Sequence, residues 1–230
     1  MSAIGPLRVA ISRGALIANA RSAGPDAIAD LRRDAYGHGV AIVARALAAA
    51  GVQAAVVDEA GREDAEAAGI RATDAFPTLD SRTLYGLPGG TGLPAMQLSG
   101  SVLSTKRLLA GEGVSYNATH IAESDTRIAL VSGGFGQGVV RALGNSVDIE
   151  LGGRRHPIVG RVAMDVCVVD VGDADASPGD DVVYFGGTGP LRVGLAAWEQ
   201  ATGMTGAELV CALGVRGGTP GLWLTREVVA

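Results

Sequence analysis

The pattern of apolar residues changes near residue 83, and this change limits the folds open to the chain. Before it, short apolar runs alternate with segments of helical periodicity, such as the strand predicted at Val52–Val57 and the helix predicted at Val40–Ala50. After it, short β-branched runs are separated by Gly, Pro, Asn and Asp. The sequence therefore predicts an α/β fragment of about two βα units, followed by an all-β domain with helices at its end.

The remaining predicted elements follow from the same patterns. In the N-terminal part, strands are expected at Leu7–Ile11 and Ala27–Leu31, and helices at Ala15–Ala23 and Glu59–Ala68. In the C-terminal part, strands are expected at Gln97–Lys106, Arg127–Val131, Val139–Leu143, Val147–Leu151, Cys167–Val171 and Asp181–Phe185. Helices are expected at Leu195–Ala201 and Thr205–Leu213, followed by a loose tail at Gly217–Gly221.

Composition excludes several classes of function. A net charge of −5 offers no basic stripe for nucleic acid, and no apolar run is long enough to span a bilayer, so neither partner is expected and the cytoplasm is the expected location. Cys167 and Cys211 lie far apart without a CxxC motif, which predicts neither a metal site nor a disulfide framework. Lys106 is the only lysine, so any reaction that needs a lysine would have to use it.

Glycine-rich turns and one histidine are the first candidates for a binding site. Gly allows the backbone to approach a phosphate closely, as at Gly37–Gly39 and Gly133–Gly138, but 35 glycines make such matches common by chance. His38 lies between two glycines at the mouth of a βα unit, where a lone histidine is typical of a turn. His120 and His156 are predicted to lie at the surface. These residues alone leave the chemistry open.

Two longer motifs resemble the alanine racemases. Asp34-Ala35-Tyr36-Gly37-His38-Gly39 is similar to the family's first barrel turn, and Ile158-Val159-Gly160-Arg161-Val162-Ala163-Met164-Asp165 is similar to a motif of its β-domain. That family interconverts L- and D-alanine, which supplies D-alanine for the cell wall, with pyridoxal phosphate held on a lysine. The resemblance implies a truncated β/α barrel remnant at residues 1–81 and an alanine-racemase-like β-domain at residues 82–230.

The chain departs from the family at the positions that carry its chemistry. The resemblance places Arg32 where the family has the cofactor lysine, and Phe135 where it has a catalytic tyrosine in a Gly-Tyr-Ala-Asp-Gly motif. A further tyrosine that contacts the cofactor phosphate falls on Ala207. Asp30 and Arg33 stand where the family's barrel strand is apolar or small. Of the cofactor contacts, Tyr36 remains, and the positions at the family's substrate entrance are kept as Arg161, Met164 and Asp165.

These departures imply an inactive member of the family. A guanidinium stays protonated and does not condense with an aldehyde, so no covalently bound pyridoxal phosphate is expected. A complete (β/α)₈ barrel needs about 200–250 residues, and only about 80 precede the β-domain. Three alternatives stay open: an active racemase, a non-catalytic partner and a decayed gene product. Because family dimers complete each other's active sites, the expected partners are a second copy or a full-length racemase.

Overall fold

The structure is a computed structural model that describes residues 7–217 and 224–229, without the side chains of Tyr116 and of residues 215–228. The chain folds as two compact units. The first contains residues 7–9, 98–204 and 224–225, and the second contains residues 10–97, 205–217 and 226–229. Compactness thus assigns residues 82–97 and 205–217 to the unit that holds the N-terminal βα segment, while the family-based division at residue 82 stays a prediction. None of the described helices is both long and apolar enough to cross a lipid bilayer.

An antiparallel barrel forms the body of the first unit. In the described part of the chain, six strands follow one another around it, and the pairing of the last with the first closes the sheet. They are, in chain order, β5 (Met96–Leu108), β8 (Thr126–Ser132), β9 (Asp148–Leu151), β10 (Arg154–Val159), β11 (Val166–Asp170) and β12 (Asp181–Phe185). Beyond β5 the order of strands continues with β1 (Leu7–Ser12) and β13 (Leu224–Val229).

Alternate residues of these strands fill the barrel interior. Ala129, Val131, Cys167 and Val169 are almost wholly buried on neighbouring strands, as the two-residue period of a strand requires. The Tyr184 hydroxyl donates a hydrogen bond to the Ser132 carbonyl oxygen (2.6 Å). Its phenol ring packs edge-on against Trp198 of helix α6 (Leu195–Thr202), which covers the barrel at this point.

A two-stranded hairpin lies against the outer face of the barrel. Its strands are β6 (Gly113–Val114) and β7 (His120–Ile121), joined by a short 3₁₀ turn at Tyr116–Ala118. Val114 and Ala122 of this segment are buried together with Leu108 and Ile128 in a small second hydrophobic core. The hairpin therefore covers part of the barrel surface with apolar contacts of its own.

One strand prediction was wrong, and strand β10 was not predicted. The segment Val139–Leu143 is not extended, because Gly138 takes a left-handed conformation (φ 101°) and the Leu143 amide donates to the Val140 carbonyl oxygen within a 3₁₀ turn at Arg141–Leu143. Strand β10 was missed because it contains a proline. Pro157 has no amide hydrogen to donate. It is tolerated because the pairing of β10 with β11 begins only at the next residue, Ile158, while on the other side Pro157 lies opposite Asp148 of β9.

The prediction of surface histidines was also wrong. His156 lies on β10, opposite Ile149, and only 5% of its surface is exposed. It alternates along the strand with Pro157, so it takes the inward position of the pleat. His120 is half-buried at the start of β7. No pattern in the sequence indicated strand β10, and hence none indicated the burial of His156.

The second unit contains a parallel sheet flanked by helices. Strands β2 (Ile28–Asp30), β3 (Ala54–Val56) and β4 (Arg71–Ala72) pair in parallel and in chain order. This sheet and the closed barrel of the first unit confirm the predicted fold class, a βα fragment and an all-β domain. The helices are α1 (Arg13–Arg21), α3 (Val40–Ala50), α4 (Arg62–Ala67), α5 (Ser81–Tyr85) and α7 (Gly206–Gly217), with a helical turn α2 (Arg32–Tyr36) and a 3₁₀ turn at Glu59–Gly61. The predicted tail, Gly217–Gly221, lies outside the described residues except for Gly217.

Glycine allows α7 to touch the turn that follows β2. A Cβ atom on Gly214 would lie 2.0 Å from the Gly37 Cα, and a Cβ on Gly37 would lie 2.7 Å from the Gly214 Cα. Both distances are far below van der Waals contact, so the two backbones pack directly. Gly37 also needs its left-handed φ of 78° to end the turn. No other residue type fits either position without moving a backbone.

We expect Gly214→Ala to destabilise the protein. Helix propensity alone favours alanine over glycine by about 1 kcal/mol, whereas overpacking against a backbone costs about 1–3 kcal/mol. The steric effect should prevail, because the obstructing atoms belong to the Gly37 main chain. Urea unfolding followed by circular dichroism measures the sign directly. A gain in stability would mean that α7 and the turn are not in backbone contact.

Candidate functional site

The best-formed polar cluster lies at the carboxyl end of β2. The last residue of this strand, Asp30, is only 4% exposed although it is an acid. A buried carboxylate needs a partner, because its transfer from water costs several kcal/mol. The cluster around it is made by the residues that follow β2 directly, together with Tyr85 at the end of α5.

Arg32 supplies the partner for this acid. Its Nε donates to Asp30 Oδ1 (2.9 Å) and its Nη2 donates to Asp30 Oδ2 (2.6 Å), a bidentate ion pair. Burial by itself acts to raise the pKa of Asp30, but hydrogen bonds from the Arg32 side chain and backbone, with its charge, outweigh burial and lower it. The same hydrogen bonds raise the pKa of Arg32 above its ordinary value. The pair is therefore ionised at neutral pH.

The backbone that carries this pair is left-handed. Arg33, Asp34, Ala35 and Tyr36 all have φ between 53° and 58°, so α2 is a left-handed turn built from residues other than glycine. Such a residue costs about 1–2 kcal/mol relative to a right-handed one. Local hydrogen bonds offset this cost: Asp34 Oδ1 accepts from the Val40 amide (2.9 Å) at the start of α3.

Three aromatic rings pack beside the ion pair. The Tyr85 ring centroid lies 4.6 Å from that of His38 and 5.0 Å from that of Tyr36. The Tyr85 hydroxyl donates to the Asp30 carbonyl oxygen (2.7 Å), and the Tyr36 hydroxyl donates to Asp30 Oδ2 (3.3 Å). His38 is fully buried, with Nδ1 at 3.1 Å from the carbonyl oxygens of Ala35 and Tyr36, as expected of a histidine that stabilises a turn.

A second group of predicted site residues lies in the barrel unit. The Phe135 amide donates to the Ala163 carbonyl oxygen (2.9 Å), and the Gly136 amide donates to that of Met164 (2.8 Å). These bonds hold Phe135 beside Met164 and Asp165. The Arg141 guanidinium lies over the Phe135 ring, 4.5 Å from its centroid. Met164 is 59% exposed, so the turn presents an apolar side chain to solvent.

The structure thus places the predicted site residues in two groups, one in each unit. Arg32 and Tyr36 share the cluster around Asp30, and Ala207 lies on α7 of the same unit. Phe135 lies in a turn of the barrel unit that is bonded to the segment holding Met164 and Asp165, whereas Arg161 is exposed and its amide donates to Ser115 Oγ (2.6 Å). No set of three metal-ligating side chains was found among the described residues. The roles of all these residues stay predictions.

Two members of the Asp30 cluster were missed as site residues. Tyr85 carried no signal, because its contact with β2 joins segments far apart in the sequence. Asp30 did carry one: an acid at the end of an apolar strand, two residues before an arginine, is the spacing of a short-range ion pair. Gln137 was read as one residue of a glycine-rich turn, yet its Oε1 accepts from the Gly134 amide (3.0 Å) and closes that turn.

Comparison with known proteins identifies the family. The profile of the family described as "Alanine racemase, C-terminal domain" matches residues 95–218, more than half of the chain, so the chain belongs to the alanine racemase family. It is 38% identical over 138 residues to the alanine racemase of Thermobifida fusca, a match that covers 57% of this chain and 37% of that protein. It is 45% identical over 101 residues to the alanine racemase of Mycolicibacterium vanbaalenii, covering 43% of this chain and 26% of that protein. The chain spans about a third of the length of the first curated relatives.

Solved structures agree on the fold. The crystal structure of alanine racemase from Streptomyces lavendulae superposes with a TM-score of 0.81 at 19% identity, covering 98% of this chain and 97% of that one. The enzyme from Streptomyces coelicolor gives a TM-score of 0.76 at 20% identity, covering 97% of this chain and 98% of that one. At these identities the likeness establishes the architecture, and the chemistry has to be judged from this chain's own residues.

The residues around Asp30 do not fit pyridoxal phosphate, the cofactor that the family implies. Arg32, which the resemblance places at the anchoring lysine, is a guanidinium whose Nε and Nη2 both donate to the Asp30 carboxylate. Tyr36, expected at the cofactor phosphate, has a hydroxyl that already donates to that carboxylate, so a phosphate would bring a second negative charge to the same place. Burial, together with the Asp30 carboxylate, raises the pKa of Tyr36, so the phenol remains protonated.

The Asp30–Arg32 ion pair should make the stability of the fold depend on pH. The folded-state pKa of Asp30 lies below its ordinary value of 3.8, so the pair stabilises the fold above pH 4 and this contribution is lost as pH falls through the folded pKa. We expect Asp30→Asn to lower the free energy of unfolding by about 1–2 kcal/mol at pH 7. This loss lies between those typical of surface and of buried ion pairs, because Arg32 is half exposed. Urea unfolding at pH 7 and pH 3 should show the difference from the unmodified protein shrink at pH 3. Asp74→Asn, at an exposed acid, is the control, and an equal loss at both pH values would contradict the assignment.

Proposed function

We propose that this chain is an alanine-racemase-family protein without racemase activity of its own, which acts by binding another member of the family. The observation that carries the first half is the bidentate ion pair of Arg32 with buried Asp30. It occupies the position at which the family resemblance expects a cofactor lysine. Lysine anchoring requires a neutral primary amine that attacks an aldehyde carbon.

Arg32 is unsuited to that role for two reasons. A guanidinium spreads its charge over three nitrogens and stays protonated throughout the physiological range, so it is a poor nucleophile. The hydrogen bonds that Arg32 donates to Asp30 raise the pKa of Arg32 further and hold its side chain in place. The only lysine of the chain, Lys106, lies on β5 in the other unit. No residue of the Asp30 cluster offers a replacement amine.

The second half of the proposal rests on the state of the barrel unit. Its sheet is closed, and the turn at residues 133–136 is bonded to residues 163–165 so that Met164 projects into solvent. In the family, the β-domain of each subunit completes the active site of the other. A chain that keeps this surface and lacks the anchoring lysine is suited to occupy the partner's place in a dimer with a full-length racemase.

The cofactor proposal predicts an absence of covalent attachment. Incubated with pyridoxal phosphate and then borohydride, the protein should carry no cofactor on residue 32, because no amine exists there. Slow labelling of exposed Lys106 is expected to disappear in the lysine-free variant Lys106→Arg. Peptide mass spectrometry locates any label, and a coupled D-amino-acid oxidase assay measures D-alanine. Stoichiometric trapping, or D-alanine formed above the free-cofactor background, would refute the proposal.

The binding proposal predicts association with a purified full-length alanine racemase. Analytical ultracentrifugation of the mixture should reveal a heterodimer at micromolar concentration. Met164→Asp should weaken it about tenfold or more, the effect of losing one central interface side chain. Val193→Asp is the matched control, because Val193 is a comparably exposed apolar residue of the same unit (66%) away from the 133–136 turn. No complex, or an equal loss in both variants, would favour the alternative of a decayed gene product.

A further inference from the structure

A groove on the outside of the barrel offers a binding site that the proposed function does not use, although one of its lining residues, Arg161, is among those that the resemblance places at the family's substrate entrance. We call it the hairpin groove: it lies between the β6–β7 hairpin and the outer face of strands β5, β8 and β11. It consists of two adjoining cavities of about 300 and 380 Å³, which share Ser115, Leu130 and Val168 as walls. All of its residues belong to the barrel unit.

The apolar floor of the groove follows from strand geometry. Leu130 pairs with Val168 in the sheet, and Ile128 and Val166 lie two residues away on the same face, opposite the interior residues Ala129 and Cys167. The hairpin buries Ile128 through Val114, but Leu130, Val166 and Val168 remain only partly buried. The floor is therefore a strip of aliphatic side chains that the chain covers at one end and leaves open beyond it.

One cation stands at each end of this strip. Lys106 lines the first cavity and Arg161 lines the second. Among the side chains that the structure describes, none of the carboxylates lies at ion-pair distance from Lys106 or Arg161, although the chain as a whole carries a net charge of −5. A cation beside an apolar wall attracts anions more strongly than one in open water, because the local dielectric constant is lower. The groove thus pairs two positive ends with an aliphatic middle.

The wall between the two cavities is held rigidly. Ser115 has φ 60° and ψ −175°, a conformation that residues other than glycine rarely adopt. Its hydroxyl accepts from the Arg161 amide (2.6 Å), and a Cβ on Gly160 would lie 2.7 Å from that same oxygen. Backbone strain of this kind persists only where neighbours fix it. It sets the position of Arg161 relative to the groove floor.

We infer that the hairpin groove binds a linear aliphatic dicarboxylate. One carboxylate would pair with the Lys106 ammonium, with the Ser104 hydroxyl in the same cavity, and the other with the Arg161 guanidinium. The methylene chain would cover Leu130 and Val168. Ligand sites of this size are mostly apolar with a few polar groups that fix orientation, which is the composition found here. Lys106 lies on β5 opposite Ile128 of β8, at the end of the strip that the hairpin covers, and Arg161 lies in the loop between β10 and β11 beside the open end.

Isothermal titration with three molecules of equal chain length tests the inference on the whole protein. Suberate has a carboxylate at each end, octanoate has one, and 1,8-octanediol has none. We expect suberate to bind about tenfold or more tightly than octanoate, and octanoate more tightly than the diol, since each charged pair adds to the same aliphatic contact. Equal affinities for suberate and octanoate, or no heat with suberate, would overturn the inference.

Variants locate the two ends. Lys106→Gln and Arg161→Gln should each reduce suberate affinity to that of octanoate for the unmodified protein, and the double variant should bind suberate no better than the diol. Arg107→Gln is the matched control, because Arg107 neighbours Lys106 on β5 but pairs with Asp125 (3.7 Å) outside the groove. The side chains changed are exposed, so folding is expected to persist and circular dichroism verifies it. An equal loss in Arg107→Gln would show a response to net charge alone and refute the site. The outcome is independent of cofactor trapping and of heterodimer formation.

Discussion

Closure of the sheet by the pairing of β5 with β12 is the constraint on which the barrel unit depends. A closed antiparallel sheet has no free edge, and it assigns every residue of its strands to the inside or the outside with a period of two. That assignment buries Ala129 and Val131 and turns Leu130 outward. It also brings the segments before β11 and after β8 together, so that the turn holding Phe135 is bonded to the one holding Met164. The surface around Met164 and the hairpin groove therefore both depend on the register of the barrel strands.

Charge neutralisation has the same organising role in the βα unit. Asp30 ends a strand that is otherwise apolar, and its burial is tolerable because Arg32 meets both of its oxygens. The two residues are therefore best understood together. An arginine at position 32 without an acid at 30 would have no reason to fold back onto the strand, and an acid at 30 without the arginine would be buried without a counter-charge. The pair makes position 32 part of a fixed electrostatic contact.

The parts of the fold that could be predicted from sequence were those with strong local patterns. Helix α3 begins and ends where its apolar periodicity and Gly51 indicate, and strand β12 follows the Pro178-Gly179 turn as expected. Strand β10 was hidden by Pro157, and the turn at Arg141–Leu143 by the β-branched residues before it. At the candidate site, Asp30 could be recognised as out of place. Its contact with Tyr85, and the packing of Gly37 on Gly214, could not be, because they join residues that only the tertiary fold brings together.

The left-handed turn α2 separates the outline of the site from its chemistry. Its four consecutive positive φ angles are maintained by Gly37, by the Asp34 bond to Val40 and by helix α7, none of which involves the side chain of residue 32. The frame is thus self-supporting: it would present whatever side chain stood at that position in the same direction. The shape of this backbone is thus maintained by packing around Gly37 and α7, and it carries no information about which functional group stands at position 32.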